Sequence, residues 1–483
     1  MYREFNSLTS KNTGTLVPSP GTDKTIRGMW RLVRKRKEFR EVLKYKACWV
    51  CFGNHQEHQV NYFKTYSAVA CTELFKVPLS ILVNPRYSAY QFDVETAFLY
   101  SEMDAPNYVA QVASYEVSGK EYWVWKLNKS LYGTKQAPRQ WKVHLVKTLN
   151  TLGLTSKDTD ECLFTNHDKT LFLHIHVDYG FIVGKSESMI EDLLTQLNQT
   201  YTIKTKKNPT QHLGYTLSWQ LDGSIILHQH NLCTKILNDL NMTLSNSIKT
   251  PALANIHNVV AQTSTPFSKQ TMQKAIGMLN YLALHTHTWP DIMFTTNLLS
   301  QFVSEPTMSH WNLVKHLLCH LNGTRGLGIH YTKAQQHKDK LVVWADADYA
   351  TFLVTKKSHS GYLIMFLGNP ISWTTKKQSI VAQSTTKVEF VSMNKCSKEV
   401  QWLSHLITSL NIQLKVPILK NDNTGAITIS NEAQLNPNSK HIEVRFQYLR
   451  NLVRKNLLKV QHVPTNEMAA DVLTKALGTV RHA

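Results

Sequence analysis

The stretch LFLHIHVDYGFIVG (171–184) sets two apolar runs around a single aspartate, Asp178, followed by Tyr179. Two β-type runs meeting at a polar, Gly-containing pair predict a hairpin that pushes its turn residues out of a sheet. A carboxylate held at such a tip is well placed to bind a metal ion. A second carboxylate, Asp93, lies 85 residues earlier in QFDVETAFL (91–99), where a strand ends and a helix begins. Taken alone, an aspartate at a strand end is more often a cap or turn residue. The pair gains chemical meaning only from what surrounds it.

The bulk composition bounds the answer. A chain of 483 residues is too long for one core and divides into two to four domains. A hydrophobic fraction of 42%, with 10% aromatic, suits a folded protein. Lys+Arg 54 against Asp+Glu 34 gives a formal charge of +20, a surface that favours a polyanion such as nucleic acid. No apolar run is long enough for a membrane span, and the first residues lack the order of a secretory signal. The seven cysteines are odd in number and scattered, which suggests reduced thiols. An intracellular protein is therefore expected, with no membrane partner.

The pattern changes along the chain. Residues 27–46 interleave Arg27, Arg31, Arg34, Lys35, Arg36, Lys37, Arg40, Lys44 and Lys46 with Trp30 and Leu32, a basic, partly strand-forming surface. Thr250-Pro251 opens a linker to about residue 265, and Ser268 to Leu321 follows helical periodicity. Strands resume with LVVWADADYA, then a long amphipathic helix over about 386–410, a strand at 416–421 and a final helix after Thr465 and Asn466. The expected fold class is α/β (α+β).

The most specific string is KLNKSLYGTKQAPRQW (126–141). It resembles the Ty1/copia family of LTR retrotransposon polymerases, whose pattern contains SLYG-x-KQAPR-x-W. The resemblance runs on through DECLFTNHD (160–168), HLGYTL (212–217), IGMLNYLA (276–283), HLNGTRGLGIHY (320–331), WADADYA, SGYLIMFLGNPISWTTKKQ, KNDNTGAI and SKHIEV, nearly the whole chain. It implies that residues 1–250 are the fingers, palm and thumb of a reverse transcriptase, 251–335 a helical connection and 336–483 an RNase H-like domain. By that resemblance Asp93 and Asp178 are metal-binding catalytic aspartates, and Tyr132, Gly133, Lys135, Gln136 and Arg139 lie at the nucleotide and template pocket.

A second set of carboxylates lies in the last third. Asp346 follows strand LVVW, Glu389 sits in the long helix, Asp422 ends strand ILKN and Asp471 lies in the final helix. Four carboxylates converging from separate elements repel one another unless cations neutralise them; without convergence they are unrelated surface acids. Their order resembles the RNase H fold, which cleaves the RNA strand of an RNA–DNA hybrid by two-metal hydrolysis. Asp348, two residues beyond Asp346, reads as a local structural residue. The resemblance implies Mg²⁺ as cofactor, with Mn²⁺ as a substitute, and RNA, DNA, their hybrid and dNTPs as partners.

The chain also departs from that family. Tyr179 stands where the hairpin usually carries a second aspartate, and a phenol neutral at pH 7 cannot replace a carboxylate as a hard Mg²⁺ ligand. Cys48 and Phe52 replace basic residues, Trp289 and Cys319 replace arginines, and Lys387 stands where an acid is usual. An impaired polymerase with an intact RNase H tetrad is the expectation. The alternatives are a non-catalytic nucleic-acid-binding protein and a decayed transposon remnant without cellular function.

Overall fold

The computed structural model describes residues 1–21, 25–36, 42–68, 72–83, 87–157, 160–285, 288–333, 341–350, 355–431 and 443–479. Lys37 and Arg40 of the basic stretch and residues 439–442 of SKHIEV lie outside the described residues. The chain forms two compact units, Met1–Ala70 with Ser88–Asn208, and Cys71–Tyr87 with Pro209–Ala483.

In the first unit, β1 (Gly28–Arg36) and β2 (Val42–Cys51) form a two-stranded antiparallel arm that carries the basic stretch. The same unit holds a six-stranded sheet built from β3 (Ser88–Val94), β4 (Thr155–Lys157), β5 (Asp160–Thr165), β6 (Leu171–His176), β7 (Tyr179–Gly184) and β8 (Ile203–Lys207). Its spatial order is β8-β3-β7-β6-β5-β4. Helices α1 (Ala137–Thr151) and α2 (Glu187–Thr200) cover the face that presents Leu171, Leu173 and Ile175. Ile190, Leu193, Leu194 and Leu197 follow the i, i+3, i+4, i+7 spacing that puts one stripe of α2 against that sheet. Alternation along a strand sends Phe172 and His174 to the opposite face, and both are buried as well. A strand buried on both faces reads as an unbroken apolar run, as LFLHI does.

The hairpin forms, with Asp178 at its tip, but its turn is two residues earlier than the Gly-containing pair Tyr179-Gly180 would give. His176 pairs with Tyr179, so the two-residue loop is Val177-Asp178, with Val177 at φ 57. Positive φ strains a β-branched residue. Gly180 instead sits within β7 opposite Phe92, where a Cβ would lie 2.2 Å from the Phe92 ring. The glycine is needed for close packing across the strands, and the turn itself contains none.

The second unit holds helices Thr72–Leu82, Lys269–Asn280, Pro290–Leu299 and Met308–Thr324 and a five-stranded mixed sheet. That sheet comprises β9 (Leu341–Asp348), β10 (His359–Phe366), β11 (Asn369–Lys377), β12 (Ile418–Asn421) and β13 (Lys459–His462), in the order β11-β10-β9-β12-β13. The first three strands are an antiparallel meander, and β12 and β13 add parallel beyond β9. Between β11 and β12 runs α3 (Thr385–Ser409), whose Val388, Met393, Val400 and Leu403 are buried. Within the stretch expected as a linker, Ile256–Val260 forms one short helix. Asp471 lies in a 3-10 turn, Ala469–Leu473, rather than a longer helix, and the amides of Thr474 and Lys475 both donate to the Asp471 carbonyl. Among the described residues no helix is long and apolar enough to cross a membrane.

His174 supplies a test of this packing. It is 1% exposed, and burial pushes its imidazole pKa down to about 3 from 6.5. Above pH 6.5 the ring is neutral whether folded or unfolded and its contribution is flat. Below that value the unfolded chain takes the proton first, so stability falls by up to about 1.4 kcal/mol per pH unit until about pH 3. His174→Leu should flatten the fall of the urea midpoint between pH 6.5 and 4. An unchanged slope would count against a neutral buried ring.

Candidate functional site

In the first unit the hairpin tip is fixed by its backbone. The Trp141 indole N–H donates to the Val177 carbonyl at 2.7 Å, and the Val94 amide donates to the Asp178 carbonyl at 3.0 Å. Trp141, the last residue of the SLYG motif string, is 1% exposed and belongs to the core beneath the sheet. The motif thus anchors the tip from below while the Asp178 side chain is left half-buried above it.

Tyr179 stands directly opposite Asp93 in the β7–β3 register, so the two side chains share one face of the sheet. Burial raises the Tyr179 phenol pKa, and the charges of Asp93 and Asp178 raise it further. Tyr132 behaves alike: burial leads, and Asp178, Glu4, Cys48 and Asp93 add to it. Two aspartates and two neutral phenols therefore form one group. Lys204 of β8 faces Asp93 from the other side and is ion-paired with Glu95.

The remaining SLYG residues build a loop seat. Gly133 adopts φ +94, and a Cβ there would lie 2.1 Å from the Cys51 carbonyl, so only glycine fits. The Cys51 amide donates to the Tyr132 carbonyl at 2.8 Å, which joins this turn to the end of β2. Gln136 is 0% exposed: its amide N–H donates to the Asn61 carbonyl at 2.7 Å, and its oxygen accepts from Gln56 at 3.0 Å. Gln56 also donates to Asn107 at 2.8 Å. Lys135 reaches the Gln56 carbonyl at 3.2 Å and the Tyr62 hydroxyl at 3.3 Å, and Arg139 donates to the Tyr66 carbonyl at 3.2 Å. Gln56 and Asn107 gave no signal in the sequence, because isolated amides carry no pattern.

In the second unit Asp346, Glu389 and Asp422 converge, each offering a carboxylate oxygen within 4.8 Å of the others. Asp346 is 0% exposed on the central strand β9. Glu389 is turned inward near the start of α3; its two oxygens accept from the Ala347 amide at 3.2 Å and the Asn421 side chain at 2.9 Å. Asp422 accepts from the Thr465 hydroxyl at 2.8 Å. Asp471 lies outside that trio, and Lys475 joins it to Asp346, at 2.8 Å from Asp471 and 3.3 Å from Asp346. The Thr474 hydroxyl donates to the other Asp346 oxygen.

The electrostatics of this cluster follow from crowding. Burial and then the neighbouring Asp346 push the Glu389 carboxyl up to about 9. Burial also raises Asp346, to about 6, with Lys475 opposing it and Asp471 and Asp422 adding to it. Burial would lower the Lys475 ammonium, but Asp346 and Asp471 outweigh it and raise the pKa. An all-oxygen donor set whose members resist ionising together fits a hard divalent cation. Asn421, Thr474 and Lys475 were not found from the sequence, although the Asp471-x₃-Lys475 spacing offered a signal.

Residues 11–254 match the family model described as reverse transcriptase (RNA-dependent DNA polymerase). The chain belongs to that family. This reverse transcriptase chain is 30% identical over 487 residues to the retrovirus-related Pol polyprotein from transposon TNT 1-94 of Nicotiana tabacum, covering 99% of the chain and 36% of that relative. It is 31% identical over 485 residues to the Pol polyprotein from transposon RE2 of Arabidopsis thaliana, covering 99% and 33%. The chain spans about a third of the length of these curated relatives, and it is of the Ty1/copia Pol type. A foamy viral protease-reverse transcriptase, solved in complex with double-stranded DNA, shares the fold with a TM-score of 0.52 at 11% identity. That likeness covers 95% of this chain and 68% of the other.

One departure from the family has a local physical cost. Ser384 caps α3 by accepting the Lys387 amide at 3.3 Å, but a lysine at the third helical position cannot return the second bond of a capping box. Its charge also opposes the helix dipole. Lys387→Glu should raise stability by about 0.5–1 kcal/mol, read from the urea midpoint; no gain would mean the helix start is already satisfied.

Proposed function

We propose that this chain is the reverse transcriptase–RNase H portion of a Ty1/copia Pol polyprotein, with polymerisation impaired and hybrid cleavage retained. The observation that carries the second half is the convergence of Asp346, Glu389 and Asp422 beside Asp471 on separate elements. In this reading the four acids hold Mg²⁺, or Mn²⁺ in its place. When bound, these ions activate water and neutralise charge on the scissile phosphate of an RNA–DNA hybrid. The Ala347 amide and Asn421 aim Glu389 at the cluster, and Thr465 aims Asp422.

The first half rests on Tyr179. Asp93 and Asp178 are the metal-binding aspartates of the polymerase, and Tyr132, Gly133, Lys135 and Arg139 border its nucleotide and template pocket. Gln136 acts on that pocket through the loop it holds, since its own amide is enclosed. Tyr179, directly opposite Asp93, gives a neutral phenol where a third oxygen anion would help hold the ions. It is also bulky enough to shift a primer end, and about 1 Å of misplacement costs on the order of 100-fold.

A second reading, nucleic-acid binding without catalysis, draws on the exposed Arg27, Arg31, Arg34, Lys44 and Lys46 along the β1–β2 arm. Such binding would weaken linearly on a log–log salt plot, by about 0.9 per phosphate neutralised on duplex DNA.

Two assays separate these readings. In Mg²⁺-dependent primer extension, Tyr179→Asp should exceed the unaltered chain by about 100-fold; equal extension would defeat the impaired-polymerase half. In hybrid cleavage, Asp346→Asn should lower the rate by more than about 100-fold, the upper range for disturbing a group one shell further from the metal. Cleavage that survives Asp346→Asn would defeat the assignment. Salt-dependent hybrid binding with neither activity would favour the second reading.

A further inference from the structure

The four acids of the second unit are not equivalently placed. Asp346, Glu389 and Asp422 gather on one side, with oxygens within 4.8 Å of one another. Asp471 stands apart from that trio, and between it and Asp346 lies the Lys475 ammonium, 2.8 Å from Asp471 and 3.3 Å from Asp346. A monovalent cation of the chain itself therefore fills the space that these two carboxylates enclose.

The position of Lys475 is built rather than incidental. The Lys475 amide donates to the Asp471 carbonyl at 2.9 Å, which closes one helical turn and stacks the lysine over its aspartate. Thr474, the residue before it, donates through its hydroxyl to Asp346 and to the Asp471 carbonyl. The Thr375 hydroxyl of β11 pins the Leu473 carbonyl at 2.6 Å. The backbone of the turn is thus fixed to the sheet. The lysine side chain is 29% exposed, whereas Asp346 and Asp471 are 0% and 2%. Its four-carbon stem can swing toward solvent while the acids stay in place.

The geometry points to Lys475 as a resident counter-cation that occupies the place of a second divalent ion between Asp346 and Asp471, so that metal enters in order. This inference rests on the metal-site reading above. The first ion would be held by Glu389, Asp422 and Asp346, and of these only Asp346 is shared with the lysine. The second meets an ammonium already bound to both of its acids and must displace it. Lys475 is a positioning residue: it keeps Asp346 and Asp471 from repelling each other before metal arrives, and it separates the two binding events.

The test counts bound Mn²⁺ by the loss of the free-ion electron paramagnetic resonance signal. It uses the full chain carrying Asp93→Asn and Asp178→Asn, so that only the second unit contributes. The expected result is one site followed by a second at least about tenfold weaker, as removal of a competing unit charge at contact distance would tighten binding by that factor or more. In Lys475→Met the weaker site should tighten by about tenfold or more. Lys475→Arg should restore the gap, which loss of packing alone would not do. Without metal, Lys475→Met should melt below its parent and recover more on adding Mn²⁺. Two sites of equal affinity in the lysine-containing chain would overturn the inference and leave the metal-site reading standing, and this outcome needs no folded variant. Unchanged affinities in a folded Lys475→Met or Lys475→Gln would also overturn it. Absence of Mn²⁺ binding in every form would overturn both.

Discussion

A fully buried carboxylate organises the second unit. Taking an ionised group out of water costs several kcal/mol unless partners replace the lost hydration. Asp346, at 0% exposure on the middle strand of its sheet, takes those partners from the C-terminal turn and holds α3 through its backbone. Its backbone carbonyl accepts from Ser392 of α3, its side chain accepts from Thr474, and Lys475 supplies charge. The long helix and the C-terminal turn are therefore tied to β9 through one residue. Burial first, and then the acids Asp471 and Asp422, raise its proton affinity against the pull of Lys475. That is the condition expected where a protein keeps a site ready for a cation.

In the first unit the placement of the hairpin tip is independent of the side chain at position 179. Everything that positions the hairpin tip acts through backbone carbonyls and amides: Trp141 on Val177, and Val94 on Asp178. None of these bonds depends on which side chain follows Asp178. A tyrosine at 179 keeps the register with Asp93 and the strand, and changes only the charge and bulk presented on that face. The backbone of the tip is therefore separable from the charge and bulk that position 179 presents.

The sequence made the large features legible where a pattern had only one physical outcome. The hairpin over 171–184, the strand that carries Asp93 near its end, the long helix bearing Glu389 and the basic arm are all present, while the helix expected after Asp93 is only a 3-10 turn, Ala97–Tyr100. What escaped was of two kinds. Some features depend on cross-strand neighbours, as Gly180 does on Phe92; a reader of one strand assigns such a glycine to the turn. Others depend on tertiary approach, as with the enclosed amides of Gln56, Asn107 and Gln136, or the Lys475 bridge. The short 3-10 turn around Asp471 belongs to the second kind, since its length is set by where the chain must fold back onto the sheet.

The second unit is discontinuous in sequence: it includes the helix Thr72–Leu82, although the residues on both sides of that segment belong to the first unit. Lys76 of this helix is fully buried with its ammonium 3.6 Å from the centre of the Trp373 ring on β11. During synthesis, at about 5–20 residues per second, the helix emerges tens of seconds before the strand it must meet. Until then its apolar face has no permanent partner. The same connectivity means that a break in the chain between the units would not yield an intact C-terminal half, since an internal piece of its core would remain on the other fragment. Order of assembly, and not only composition, thus bears on whether the second unit forms.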